Sequence, residues 1–359
     1  MKRGITTFLF VLIVSSLLFA SFDYKLELLS LVPTFEEEHA DRSRAAMDIQ
    51  YACVYDGYPV EFYQNQNKFT LKEEKAWRFK PFFGVLHLGE TVSVLRNTFS
   101  FDSVISPISF GIEMEGSMTN VMEGRISDTI GYDGVYSYCF VVGAADVVAL
   151  RFGGCHYCSH YGDGTYKYME PGESVTLGFQ EWFKYLRMDS LIAGISIRPI
   201  EVFRLYGNVI FDTDTTLIKP EIFRPGWSES GSSVEDVPSS YKHMIISCGF
   251  DLEYPVFKNL GNTRLSYQMK AYEEGKIVYK EEDLTAARRV KPFYDPDRPW
   301  EFEHTINLSQ EINDLVSFDV TWHVGRFISN MYYSTRSRYI AIGARLDFDG
   351  SVTLVDTAK

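Results

Sequence analysis

Residues Leu315 to Val324 read L315-V-S-F-D-V-T-W-H-V324, and this run decides the fold. Val316, Phe318, Val320, Trp322 and Val324 fall on one side of an extended chain; Ser317, Asp319, Thr321 and His323 fall on the other. A period of two with one apolar and one polar face is the signature of a β-strand. Two architectures use such strands: a soluble sandwich, and a membrane barrel with lipid outside and a polar lumen inside.

The start of the chain bears on that choice. Lys2 and Arg3 precede an apolar run from Phe8 to Phe19, followed by the small residues Ala20 and Ser21. This is the layout of a secretory signal peptide, so residues 1–21 are expected to be removed on export. No later stretch offers about 18 uninterrupted apolar residues, so any further membrane crossing must use strands. Aromatic residues make up 15% of the chain, with 27 Phe and 23 Tyr. The net charge of −13, without a long basic run, argues against nucleic acid as a partner.

Residues 22–77 have their own character, that of an N-terminal periplasmic or plug-like α+β segment. Thr34-Phe-Glu-Glu37 has the form of a capping box opening a short helix that reaches about Asp48. In YACVYDGYPVEFY, Asp56-Gly57 sits between two aromatic-rich runs and predicts a tight hairpin, which could also supply a first barrel strand.

From Arg78 onward alternating strands follow one another. Phe110, Ile112 and Met114 oppose Gly111, Glu113 and Glu115; Leu205, Val209 and Phe211 oppose Arg204, Tyr206 and Asn208; Ile340, Ile342 and Leu346 oppose Ala341, Gly343, Arg345 and Asp347. The polar faces mix Gly, Ala and Ser with charges of both signs, which suits a crowded lumen better than a solvated surface. Short turns after Val142, Ile197, Pro255 and Gln310 alternate with longer connections near 159–180, 213–241, 274–300 and 326–337. That alternation is the habit of outer-membrane barrels. About eleven strands are countable, and closure calls for an even number. The expectation is an all-β, antiparallel transmembrane β-barrel of about 12 strands over residues 78–350, with a tail at 351–359, in the outer membrane of a diderm bacterium. Asp319 or Asp347 is expected to pair with Arg345 inside it.

One cluster could carry chemistry: Arg151-Phe-Gly-Gly-Cys155-His156-Tyr-Cys158-Ser159-His160-Tyr-Gly-Asp163-Gly164. Cys155 and Cys158 form C-x-x-C, but in a strand residues three apart point to opposite faces. His156, Cys158 and His160 share a face, which permits a two-His, one-thiolate metal site needing further ligands. Gly153-Gly154 reads as a β-bulge that turns Arg151 and the His156 face inward together. The bland alternative is a set of polar residues capping the strand at the outer rim. Cys53, Cys139 and Cys248 stand singly and read as small apolar fillers.

This stretch resembles the signature His-x-Ser-Ser-His-Leu-Gly-Asp-Glu of a bacterial outer-membrane protein family of unknown function. His156, Ser159, His160, Gly162 and Asp163 match it; Cys158, Tyr161 and Gly164 replace Ser, Leu and Glu. Similar echoes run from FKPFFG at Phe79 through KYLRMDSLIAGISIRPIEVFRLYG, ending at Gly207. The resemblance implies an outer-membrane barrel and brings no activity with it. The pair His156-x-Cys158 is also similar to the His-x-Ser pair of outer-membrane lipid A deacylases, with Ser159 alongside, His160 as a second base, and Asp163 or Glu173 to orient the His. Three functions stay open: a narrow pore passing small solutes, a surface scaffold, and a hydrolase whose partner is outer-membrane lipid. No cofactor is indicated.

Overall fold

A computed structural model describes residues 22–36, 38–41, 47–56, 82–123, 129–161, 185–218, 244–273, 300–327, 329, 336–348 and 352–357. The expected signal peptide, the far half of the expected Asp56-Gly57 hairpin and most of the long connections lie outside them. The strands are β1 (Phe22–Ser30), β2 (Met47–Asp56), β3 (Phe82–Phe101), β4 (Ile108–Glu123), β5 (Thr129–Ala144), β6 (Val148–Tyr161) and β7 (Tyr185–Ile200). They continue with β8 (Phe203–Ile218), β9 (Met244–Tyr254), β10 (Thr263–Glu273), β11 (Trp300–Asn313), β12 (Val316–Arg326), β13 (Arg336–Leu346) and β14 (Val352–Asp356).

Strands β2 to β13 pair antiparallel in sequence order, and β13 pairs with β2, closing a barrel of 12 strands. The two extra strands complete its lower wall. β3 is long: its first half, Phe82 to Leu88, pairs with β2, and its second half, Ser93 to Phe101, pairs with β1. β14 then pairs with β1 as β13 pairs with β2. One wall position is thus shared by β1 and β2, and the next by β13 and β14.

The wall therefore begins before Arg78, and two of the expected boundaries change. Residues 22–30 and 47–56 are barrel strand rather than a separate α+β segment, and residues 352–356 are strand rather than tail. Between β1 and β2 the chain leaves the wall and enters the lumen. Leu29 takes a φ of 51° at the point of departure, and Pro33 has no amide to offer a ladder. The helix expected after Thr34 is absent among the described residues, which form bends and a turn closed by Asp41 N–H donating to Glu38 O at 2.7 Å. The physical reason lies in the wall. The amide of Thr34, which Glu37 of a capping box would have satisfied, donates instead to the Glu113 carboxylate on β4, and so does that of Phe35.

This insert fastens to the barrel by its polar groups. Glu38 accepts from Arg151 Nη2 at 2.6 Å, from Gln268 Nε2 at 2.8 Å and from Asn208. Asp41 pairs with Lys270 at 2.5 Å, and Glu36 with Arg198 and Arg204. His39 Nδ1 accepts from Arg345 at 2.7 Å and from Arg264 at 3.1 Å. Nearer the other rim the lumen is apolar: Val54, Phe83, Ile130 and Tyr339 are buried, and Phe327 sets its ring edge-on to Phe83 at 5.3 Å. Two cavities between the insert and the wall leave room for water-sized guests, about 20 and 10 Å³.

The two faces fall as the alternation predicts. Ser317, Asp319, Thr321, His323 and Arg345 are buried inside, while Phe318, Trp322, Ile340 and Ile342 are exposed outside. Arg345 Nε lies 3.5 Å from Asp319 Oδ2, the expected partner. An apolar exterior around a polar, filled interior places the barrel in lipid, and this is an integral protein of the outer membrane. The connections at 102–107, 145–147, 201–202, 255–262 and 314–315 share one rim. The strand ends that flank the longer ones, Tyr161 and Tyr185, Ile218 and Met244, Glu273 and Trp300, share the other, which by the outer-membrane pattern is external.

Candidate active site on the outer wall

β6 carries the cluster, and its alternation sorts the residues onto two sides. Arg151, Cys155, Tyr157 and Ser159 point into the lumen; Phe152, His156, Cys158 and His160 point outward. The ladders to β5 and β7 run without a shift past Gly153 and Gly154, so the expected bulge is not there. Arg151 faces in and His156 faces out. The glycines answer a packing need instead. A Cβ on Gly154 would meet the Tyr138 ring at 2.6 Å, and one on Gly153 would lie 1.9 Å from the Tyr138 carbonyl oxygen.

Ser159 is removed from the site by the same parity: it is buried and donates to the Asp133 carboxylate inside the barrel. Arg151, with its guanidinium 4.2 Å above the Phe35 ring, belongs to the lumen insert. Cys155 is buried and Cys158 is not, so the C-x-x-C pair is split between the two faces. Asp163 and Glu173 lie outside the described residues. Among the described residues no group of three or more His, Cys, Asp or Glu could hold a metal ion.

Three of the singled-out residues stay together on the lipid side, and a fourth joins them. Asp189 on β7 sits directly opposite His156 in the ladder, and His156 Nδ1–H donates to its Oδ1 at 2.5 Å. In the neutral imidazole that bond places the proton on Nδ1, which makes Nε2 the nitrogen that can act as a base. Cys158 lies two positions further along the same face. On the other flank Tyr136 stacks on the His156 ring at 5.3 Å and 13°, and Tyr132 on His160 at 4.9 Å and 14°. Both His156 and Asp189 are about one-third exposed, so the pair is open to whatever bathes the wall.

Asp189 was legible and was overlooked. Its outward row reads Asp189, Leu191, Ala193, Ile195, Ile197, a lipid-facing stripe with a carboxylate at its head. An ionisable group on such a row needs a partner and marks a functional position. His156 and Cys158 break the stripe Leu150, Phe152, Gly154 in the same way. The signal was a coincidence of polar residues on two adjacent apolar rows, which single-strand patterns do not show.

No family model matches the chain, and no curated protein matches it. Solved structures do share its architecture. The outer membrane phospholipase A from Escherichia coli superposes with a TM-score of 0.47 at 10% identity, over 84% of this chain and 92% of that one. The calcium-bound dimer of the Salmonella typhi outer membrane phospholipase gives 0.47 at 8% identity, over 84% and 90%. The NanC porin gives 0.39 at 8%, over 84% and 100%. The likeness is one of fold.

Proposed function

We propose that this barrel is a membrane-embedded acyl hydrolase that cleaves acyl esters of outer-membrane lipid, with Cys158 as nucleophile, His156 as base and Asp189 as the group that orients it. The observation that carries this reading is the His156–Asp189 hydrogen bond on the lipid-facing wall beside Cys158. A carboxylate, an imidazole and a thiol in sequence form the activated-nucleophile arrangement, and a polar pair on a lipid face otherwise costs stability. The insert fastened across the lumen by Glu38 and Asp41 supports an activity on the outside of the wall.

The substrate follows from where the site lies. Cys158 is three residues from the external end of β6, and below it the wall presents Tyr138, Phe140, Phe152, Leu150 and Leu191, all exposed. Acyl chains of an outer-leaflet lipid can lie along these side chains while the ester reaches Cys158. The outward half of the signature-like run, His156, Cys158 and His160, then forms the lipid-facing site, and the expected export signal would bring the chain to its membrane. His160, stacked on Tyr132, borders the site on its external side.

In the reaction, His156 Nε2 takes the thiol proton and the sulfur attacks the ester carbonyl carbon, forming a C–S bond. The ester C–O bond breaks, and the departing oxygen takes the proton from His156, leaving a thioester on Cys158. Water then attacks that carbonyl while His156 accepts its proton. The C–S bond breaks, the fatty acid leaves, and the proton returns to sulfur. Asp189 stabilises the imidazolium formed at each stage.

Mass spectrometry of outer-membrane lipids from cells with the protein, without it, and with His156→Ala tests this reading. Deacylated lipids are expected only with the intact protein. An unchanged lipid profile in the deletion strain removes the hydrolase.

A further inference from the structure

Beyond the three residues of the proposed reaction, one side chain touches both ends of the nucleophile–base pair. Tyr136 on β5 faces His156 in the ladder and stacks its ring on the imidazole at 5.3 Å. Its hydroxyl lies beside the Cys158 sulfur, both flanking the Gly134 position. The contact exists because the residue opposite Cys158 is Gly134. A Cβ at Gly134 would stand 3.0 Å from Cys158 Sγ and 3.8 Å from the Tyr136 hydroxyl, so both groups converge over the space that a missing methyl leaves. The pattern Tyr132, Gly134, Tyr136, Tyr138 is an aromatic stripe with a single gap, and the gap is where the thiol sits.

We infer that Tyr136 is the positioning residue of this site: its ring clamps the His156 imidazole while its O–H donates to the Cys158 sulfur and stabilises the thiolate, in a notch kept open by Gly134. The inference rests on the reading of Cys158 as nucleophile, yet it concerns the thiol itself and can be tested without a substrate. A phenol O–H lacks charge, so it can favour a thiolate at a lipid boundary without adding an ion to be desolvated. Aromatic stacking alone would be served by Phe. The hydroxyl is the part that packing does not require, since Tyr138 and Phe140 further down the stripe meet lipid equally well.

The test uses the purified full chain folded in detergent micelles and alkylation by iodoacetamide, followed across pH by mass spectrometry of the peptides. In this step the thiolate attacks the CH₂ carbon, a C–S bond forms and iodide leaves, so the rate follows the thiolate fraction. Cys248, exposed on the same outer surface, serves as the internal reference. Tyr136→Phe is expected to move the Cys158 midpoint about one pH unit to the alkaline side while leaving Cys248 unchanged, since a hydrogen bond to a charged group has about that strength. Gly134→Ala, which pushes the sulfur out of its notch, should reproduce the shift with the hydroxyl still present. A Cys158 profile that neither change moves, in protein with unaltered heat-dependent gel mobility, overturns the inference. A shifted profile in a protein that hydrolyses no lipid would leave Tyr136 in this role and remove the proposed activity.

Discussion

At the scale of single residues, the outer wall of β6 and β7 separates a residue that orients from one that merely packs. Asp189 touches His156 and is about one-third exposed, so its loss should spare the fold and damage the reaction. Asp189→Asn is expected to lower kcat by roughly 10²–10⁴-fold, because the amide no longer favours the imidazolium or enforces its tautomer. Turnover of wild type and variant, compared in protein of equal heat-dependent gel mobility, checks this; equal rates would detach Asp189 from the chemistry. A lipid-facing residue behaves in the opposite sense. Ile342→Arg places a cation on the apolar row and should cost about 2–4 kcal/mol of folding stability in lipid vesicles. Thr321→Ser, on the lumen face of the next strand, should cost much less. Gly343 is no mild control although it faces inward, because a Cβ there would meet the Ile49 carbonyl oxygen of β2 at 2.2 Å.

Among the structural elements, the lumen insert between β1 and β2 is the one whose role the pattern of residues least disclosed. Its acidic run invited a helix, since Thr34 and Glu37 have the spacing of a capping box. Local sequence cannot show that Glu113, nearly eighty residues on, takes the Thr34 amide from inside a closed wall. The charges of the insert are held by β6, β7, β8 and β10, so removing one partner strands the others in a buried setting. Glu38→Ala leaves Arg151 without its carboxylate and should destabilise the folded barrel by about 3–5 kcal/mol in urea unfolding. His39, which lies outside the spanning strands, gives the insert a pH dependence. Burial, together with the Arg264 and Arg345 guanidinium groups that donate to its Nδ1, holds its pKa well below the ordinary histidine value. In the unfolded chain His39 binds a proton at about pH 6.5, while in the barrel it does not. The unfolded state thus gains protons first, and stability falls as the pH drops below that point. His39→Asn should flatten this part of the curve, measured as urea midpoints between pH 7.5 and 5; superimposable curves would show that His39 titrates alike in both states.

Across the whole molecule, the wall was readable and the two faces of its chemistry were not. Period two alone assigned Asp319 and Arg345 to the lumen and Ile340 and Ile342 to lipid, because lipid and lumen impose opposite demands on neighbouring residues. The same parity places His156 and Cys158 outside, a consequence obscured by an expected bulge at Gly153-Gly154. Those glycines are instead the bed for Tyr138. Ser159 and Arg151, adjacent in sequence to the site, are a wall's thickness away from it in space. Asp189, 33 residues after His156 along the chain, is its direct neighbour. The central claim is that an acyl group passes through Cys158 on the lipid-facing wall. Its most direct measurement is the mass of the Cys158 peptide after the purified chain, in mixed micelles with lipids extracted from its own outer membrane, is quenched in acid and digested. The account predicts a long-chain acyl thioester on Cys158 that hydroxylamine removes, with fatty acid released by the wild type and none by Cys158→Ala. An unmodified Cys158 peptide, with equal fatty acid release from the wild type and Cys158→Ala, would contradict it.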